Sequence, residues 1–227
     1  MLFRSTSSGS SGFSSSSSSS SSGAVVDTTA PTIDTAAANA IVQCDGQGNT
    51  EALQAWLASN GGASASDTCS NVTLTNNFSA FSDGCGNSGS ALVTFTATDD
   101  CGNHTTTSAT FTIQDDTAPT ITTQATNATV ECDGNGNSAA LTEWLASNGG
   151  ASASDICSNV TWTNNYTGLS DGCGSTGSAS VTFTATDDCG NSSSATGTFT
   201  IVDTTAPTLT APATNATVEC DGNGNTA

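Results

Sequence analysis

Nine cysteines and twenty acidic residues carry most of the chemistry open to this chain. Cys44, Cys69, Cys85 and Cys101 recur 88 residues later as Cys132, Cys157, Cys173 and Cys189, and Cys220 opens a third set. Zinc is a poor fit, because gaps of 25, 16 and 16 residues lack the close C-x-x-C pairs that clamp the metal. The one histidine, His104, is replaced by Ser192 in the second set. Four cysteines per short unit, with few other reactive side chains, point to disulfides and so to an oxidising, extracellular setting.

The acids are nearly all aspartate and face one Arg4 and no lysine, for a formal charge of −19. Nucleic acid and anionic membrane surfaces are excluded as partners by repulsion. A cationic partner is wanted, and clustered carboxylates with amide oxygens suit calcium, which takes six to eight oxygen ligands, better than magnesium. Catalysis has little support: no histidine recurs, no lysine exists, and a Ser-His-Asp or Cys-His set cannot be assembled in each unit. The chain is expected not to be an enzyme.

The elements that must position these residues repeat with them. TFTATDDCGN at 94–103 returns letter for letter at 182–191. Val93, Phe95 and Ala97 alternate with threonine, which predicts a strand with one buried face running into an acidic, cysteine-bearing turn. Val72 with Leu74, and Phe111 with Ile113, predict further strands. Ile33 and then residues 41–44 predict a first strand broken at Ala36 to Ala40. Leu53, Trp56 and Leu57 at i, i+3 and i+4 predict one short helix, capped by Asn49 or Thr50 and stopped at Asn60-Gly61, with the tryptophan filling the core.

An offset this regular marks a tandem array. Residues 1–23 form a Ser/Gly-rich low-complexity segment, 24–114 a first repeat, 115–202 a second, and 203–227 the start of an incomplete third. Serine from 14 to 22 reads as a flexible linker or stalk. No apolar run reaches signal-peptide or transmembrane length, so if the protein is secreted its export signal is expected outside this sequence or is unconventional.

The opening D-T-T-A-P-T, the S-D-x-C, the strand V-T-F-T-A-T-D-D-C-G-N and the closing T-F-T-I resemble the hyalin-type (HYR-type) repeat, above all the version arrayed on secreted and cell-surface proteins of bacteria. The resemblance covers 27–227. The C-D-G-x-G-N loop, its cysteine and the following helix depart from the general pattern. The resemblance implies an all-β fold of tandem immunoglobulin-like β-sandwich domains, each with one short inserted helix, joined by short linkers.

In such a sandwich the loops segregate to two ends. Asp27, Asp67, Asp99, Asp100 and Asn103 are then expected together at the start of the first repeat. Asp115, Asp116, Asp155, Asp187, Asp188 and Asn191 gather at the start of the second, with Asp203 opening the third. Asp45 and Asp83, and in the next copy Asp133 and Asp171, fall at the opposite end and face the following junction. Asp133, Asn135 and Asn137 also open a D-x-N-x-N pattern like an EF-hand loop, with Trp144 where the bidentate glutamate would stand; a plain glycine turn is the alternative. Proximity within one sandwich pairs Cys44 with Cys85, Cys69 with Cys101, Cys132 with Cys173 and Cys157 with Cys189. Sequential pairing, Cys44 with Cys69 and Cys85 with Cys101, is the other arrangement considered.

Asn71, Asn77, Asn127, Asn159, Asn165 and Asn215 each begin an N-x-S/T sequon and are candidate glycosylation sites. Asn103 and Asn191 do so too, in competition with metal ligation. The expected function is structural: the repeat region of an extracellular fibre or surface-adhesin stalk, rigidified by disulfides and by calcium at the junctions. Its partners would be copies of itself or further repeats of the same chain. The alternative is an adhesion module binding glycans or a protein through exposed loops. The near-identity of even the loops between copies favours the mechanical reading.

Overall fold

In the computed structural model, residues 26–220 and 222 are described, and the serine tract 1–23 lies outside them. The first repeat runs β1 (Thr32–Thr35), β2 (Ala40–Gln43), α1 (Thr50–Ala58), β3 (Ser64–Ser66), β4 (Val72–Asn76), β5 (Ser82–Asp83), β6 (Gly89–Asp99) and β7 (His104–Gln114). The second runs β8 (Thr120–Thr123), β9 (Ala128–Glu131), α2 (Ser138–Ala146), β10 (Ser152–Ser154), β11 (Val160–Asn164), β12 (Gly177–Asp187) and β13 (Ser192–Val202). Strand is the dominant element, and it is divided among several sheets.

The sheets follow the repeat. In the first, β2, β7, β6 and β4 form the main sheet in that order, with β5 also on β6. β1 pairs with β3 apart from it. The second repeat copies this as β9-β13-β12-β11 with β8 on β10. β6 and β7 make a long antiparallel hairpin through the D-D-C-G-N turn, while β2 lies parallel to β7 from Ala40 opposite Phe111 to Gln43 opposite Gln114. The broken first strand is thus shared between two sheets. Residues 36–39, three alanines and an asparagine, carry the chain from one to the other.

The period-2 pattern explains the core. Val93, Phe95 and Ala97 of β6, with Phe111 and Ile113 of β7, are buried, while most of the intervening threonines are only partly so. Each such phenylalanine contributes about 1.5–3 kcal/mol by leaving water. The helix lies on this inner face. Trp56 packs edge-on to Phe95 with ring centroids 5.3 Å apart and tilted on Phe111 at 5.3 Å. Trp144 meets Phe183 at 5.2 Å and Phe199 at 5.6 Å in the same way. Both indole N–H groups donate to backbone carbonyls, Trp56 to Ala38 at 3.1 Å and Trp144 to Thr126 at 3.0 Å. Trp144 is buried in the core and Trp56 packs, partly buried, against it, in line with the core-filling role that the helical spacing predicted.

Asn49 and Asn137 precede the helices in the left-handed region, at φ 51° and 50°, and cap nothing through their side chains. They close the preceding loop instead. Asn137 Oδ1 accepts from the Asp133 N–H at 3.2 Å, and its Nδ2 donates to the Glu131 carbonyl at 2.8 Å.

The disulfides overturn the pairing expected within each repeat. Cys44 bonds to Cys157 and Cys85 bonds to Cys189, so both bridges cross from the first repeat to the second. The expected bonds Cys44–Cys85, Cys69–Cys101, Cys132–Cys173 and Cys157–Cys189 are not formed. Among the described residues Cys69, Cys101, Cys132, Cys173 and Cys220 carry free thiols. The physical reason is the stacking of repeats. The end that bears Cys44 and Cys85 rests on the end of the next repeat that bears Cys157 and Cys189, so each cysteine's neighbour lies across the seam. The halves are therefore fastened into one covalent unit, where the sequence led us to expect beads on short linkers.

Candidate functional site

The seam between the repeats is where the structure gathers most of the chemistry. Four loops meet there. The C-D-G-Q-G-N loop brings Cys44, and the S-D-G-C turn after β5 brings Cys85. Opposite them, the S-D-I-C loop before β11 brings Cys157, and the β12–β13 turn brings Cys189. The bridges hold Cα atoms 6.1 Å apart for Cys44–Cys157 and 5.1 Å for Cys85–Cys189. Cys44 is 3% and Cys157 1% exposed, so the first bridge is sealed from solvent. The Asn87 N–H also donates to the Cys157 carbonyl at 2.7 Å, a backbone hydrogen bond across the seam.

Close approach at the seam depends on two glycines. A Cβ on Gly46 would stand 2.6 Å from the Ile156 carbonyl oxygen, and one on Gly86 would stand 2.6 Å from both the Cys157 carbonyl oxygen and Ser158 Cβ. Both have positive φ, 72° and 55°. Their counterparts Gly134 and Gly174 keep the same backbone, φ 75° and 65°, with nothing within 4 Å of the added atom. The pair Gly86→Ala and Gly174→Ala therefore separates backbone strain from seam packing. Gly174→Ala should cost about 1 kcal/mol for left-handed alanine. Gly86→Ala should cost at least twice that in a urea melt, because the seam must also open; equal losses would mean that the contact contributes nothing.

The aspartates divide into those committed to turns and those with oxygen to spare. Asp99 Oδ1 accepts from the Cys101 and Asn103 N–H groups at 2.9 and 2.8 Å, and its Oδ2 from Asn103 Nδ2 at 2.8 Å. Asp187 and Asn191 repeat this, and Asn191 Nδ2 also donates to the Asp115 carbonyl at 3.1 Å, tying the turn to the tether between repeats. Asp45 Oδ1 accepts from Gln47 and Asn49 at 2.7 and 3.0 Å, and Asp133 Oδ1 from Asn135 and Asn137 at 2.7 and 3.0 Å. In the D-x-N-x-N loop, then, Asp133 Oδ1 and Asn137 Oδ1 both point at backbone donors. Asp100 and Asp188 each receive both the N–H and Nδ2 of Asn71 or Asn159. Gln114 Nε2 donates to Asp116 at 3.0 Å, and Thr205 N–H to Asp203 at 3.1 Å. Asp171 is exposed.

These bonds shift protons. Burial pushes Asp99 and Asp187 upward, but the Asn103 or Asn191 side chain and the turn amides outweigh it, so both carboxyls titrate below the usual aspartate range. The Asn49 and Gln47 amides lower Asp45, and those of Asn137 and Asn135 lower Asp133. A carboxyl depressed in the fold contributes stability above its unfolded pKa, about 3.9, and loses it as pH falls through the folded value. Thermal midpoints should therefore hold down to about pH 4 and fall below it. Asp187→Asn should flatten that acid limb; an unchanged limb would show that the turn carboxylates do not set it.

Two clusters keep carboxylate oxygens close together. Asp27, Asp67 and Cys69 place one donor atom each within 4.8 Å of one another at the start of the first repeat, and Asp115, Asp155 and Cys157 do so at the seam. Asp27 Oδ2 is buried without a hydrogen-bond partner. At the seam Asp115 Oδ2 accepts from Ser158 Oγ at 3.2 Å, and Asp155 Oδ1 from the Cys157 N–H at 2.8 Å. Asp83 and Asp115 line one cleft with Cys85 and Cys189. Cys157 Sγ is already in a disulfide, so of this cluster the Asp115 and Asp155 carboxylates are what remains for a hard cation.

Of the sequon asparagines, Asn77, Asn127 and Asn165 are exposed and use Oδ1 to accept from the Thr94, Thr198 and Thr182 N–H groups. Asn215 is exposed as well. What sequence reasoning missed is that the cysteines serve the seam. The signal available was the tight 88-residue repeat itself, which puts a partner for every cysteine one unit along as well as within the unit.

No family model and no curated protein sequence matches the chain. Among solved structures it is similar to cadherin extracellular segments. Drosophila N-cadherin EC1-4 is 14% identical with a TM-score of 0.33, over 77% of this chain and 50% of that one. Protocadherin Gamma C5 EC1-3 is 13% identical at 0.27, over 75% and 68%. Mouse Cadherin-23 EC22-24 is 10% identical at 0.28, over 76% and 67%. The chain spans about half the length of the N-cadherin structure. TM-scores of this size leave function to be argued from the residues. Among the described residues no helix is long and apolar enough to cross a membrane.

Proposed function

We propose that this chain is the repeat region of an extracellular fibre or surface-adhesin stalk. Its repeats, 24–114 and 115–202 with another beginning at 203, are immunoglobulin-like β-sandwiches, each carrying one short helix. Disulfides across each junction make the string stiff. The observation that carries this reading is the pair of bridges, Cys44–Cys157 and Cys85–Cys189, between two nearly identical units. A recognition module needs one exposed variable surface; a load-bearing string needs the same strong joint at every step. Two disulfides support a setting outside the reducing cytosol for this string. We assign it no catalytic role.

Calcium is the second stiffener in this reading. Asp27 with Asp67, and Asp115 with Asp155, would each hold one ion through carboxylate oxygens. The buried, unpartnered Asp27 Oδ2 supports a cation at the first of these. Small-angle scattering of the full chain with calcium, with chelator, and with reductant tests both parts. A rod that bends on reduction supports the disulfide joint, and a further change with chelator supports calcium. A shape indifferent to reductant would overturn the stiff-joint function, and calorimetry without calcium uptake would remove the metal from it.

A further inference from the structure

The two bridges across the seam share a joint but not an environment. Cys44 and Cys157 are buried, whereas Cys85 and Cys189 are partly exposed and line an open cleft with Ser82, Ser90 and Asp115. The buried bridge is also the one flanked by charge. Asp115 and Asp155 each place a carboxylate oxygen within 4.8 Å of Cys157 Sγ. Asp115 is itself buried. The chain has no lysine, and its one arginine, Arg4, lies outside the described residues, so no lysine or arginine among the described residues offsets this pair.

We propose that the seam is a two-stage redox joint, in which Cys85–Cys189 is a latch that a small dithiol opens first and Cys44–Cys157 a lock that it opens last. A disulfide is cut by attack of a thiolate on one of its sulfurs, so the rate follows access to that sulfur. At Cys44–Cys157 both sulfurs lie between the repeats. An incoming thiolate would also add a third negative charge beside Asp115 and Asp155, in a buried place where like charges repel more strongly than in water. At Cys85–Cys189 the cleft admits the reagent. Asp83 and Asp115 border that cleft, so a dithiol without carboxylates enters it more readily than one that carries them. Ser88 Oγ stands 3.3 Å from Cys85 Sγ. Its proton goes to the Cys85 carbonyl at 2.7 Å and can turn to the sulfur as that sulfur departs with negative charge.

The exchange balances with the dithiol as reductant. One thiolate of dithiothreitol attacks Cys189 Sγ, the bond to Cys85 breaks, and Cys85 leaves as a thiolate that takes a proton from water. The second dithiothreitol thiolate then attacks the reagent's own sulfur in the mixed disulfide. Cys189 is released and the reagent closes into its cyclic disulfide, oxidised by the two electrons that the bridge has gained. The product keeps Cys44–Cys157. The repeats are then fastened on one side of the seam and free on the other, so the joint softens before it parts.

This inference deepens the stiff-joint reading and rests on it for its consequence, while the order of cutting is read by peptide mapping alone. The full chain, its free thiols first blocked with iodoacetamide, is treated under native conditions with dithiothreitol in the presence of chelator, so that no calcium offsets Asp115 or Asp155. Thiols released over time are trapped with N-ethylmaleimide and mapped. Label should appear at Cys85 and Cys189 at least about tenfold faster than at Cys44 and Cys157. Equal rates, the reverse order, or the absence of a singly cut species would overturn the proposal. Asp155→Asn keeps the oxygen that accepts from the Cys157 N–H and removes the charge. It should speed cutting of Cys44–Cys157 about threefold or more and leave the other bridge's rate as it was. An unchanged rate would overturn the part assigned to the carboxylates. If neither bridge maps before reduction, the joint and the proposal fall together. An ordered cut in a chain whose scattering never changes on reduction would take the stiff-joint reading and leave the order standing.

Discussion

Replacing Cys157 and Cys189 together by serine is expected to destabilise the chain by about 5 kcal/mol or more, the largest effect of any change considered. The bridges span 113 and 104 residues of sequence. A cross-link over roughly 100 residues removes about 4.7 kcal/mol of unfolded-chain freedom in the loop-entropy description. The second bridge closes a loop partly constrained by the first, so the two do not simply add. The Cys44 thiol left behind would also face a cavity at a position now only 3% exposed. Urea melts of oxidised wild type and the double variant measure this. A loss below about 1 kcal/mol would mean the bridges leave the unfolded ensemble almost unrestrained. Cys69→Ser with Cys101→Ser removes the equivalent free thiols from the near end and should leave the melt within about 0.5 kcal/mol of wild type, the usual range for exposed positions.

Trp144→Ala is the second large expectation, a loss of about 3–5 kcal/mol. The indole is 8% exposed and wedged between Phe183 and Phe199, and its N–H satisfies the Thr126 carbonyl. Truncation leaves a cavity under α2 and an unpaired acceptor, two losses with separate causes. Trp144→Phe keeps one aromatic ring in the pocket, losing the hydrogen bond and leaving a smaller cavity, so it should cost less, about 1–3 kcal/mol. Circular dichroism melts of the two variants resolve the two contributions. If Trp144→Ala were as stable as wild type, the helix would not be a core element, and a surface role for the indole would have to be reconsidered.

Trp144 and the cysteines Cys157 and Cys189 show where the sequence sufficed and where it did not. Trp144 was legible as core because helical spacing with Leu141 and Leu145 is a local signal, and burial of one face follows from it. The strands through Val93, Phe95 and Ala97, through Phe111 and Ile113, and through Val72 and Leu74 were legible for the same reason. D-D-C-G-N marked an acidic turn, but its residues Asp99, Asp100 and Asn103 were read as calcium ligands, and the bonds by which Asp99 and Asn103 close the turn were not legible. The segregation of the C-D-G-x-G-N and S-D-G-C loops away from the S-D-x-C and D-D-C-G-N loops followed once a sandwich was assumed.

The sequence alone therefore determined the repeat, the strands and helix, the buried faces and the presence of thiols and carboxylates on turns, because each depends on residues within a few positions of one another. Only the tertiary structure decided which cysteine meets which, that β2 adds in parallel to β7, and that Asp133 and Asn137 spend their oxygens on their own loop. Pairing depends on how one repeat sits on the next, and in a tandem array every cysteine has a partner of identical local sequence both within its own repeat and one repeat away. Local pattern cannot distinguish the two. Contact across the seam does, where Gly46 and Gly86 let the backbones approach closely enough for sulfur to meet sulfur.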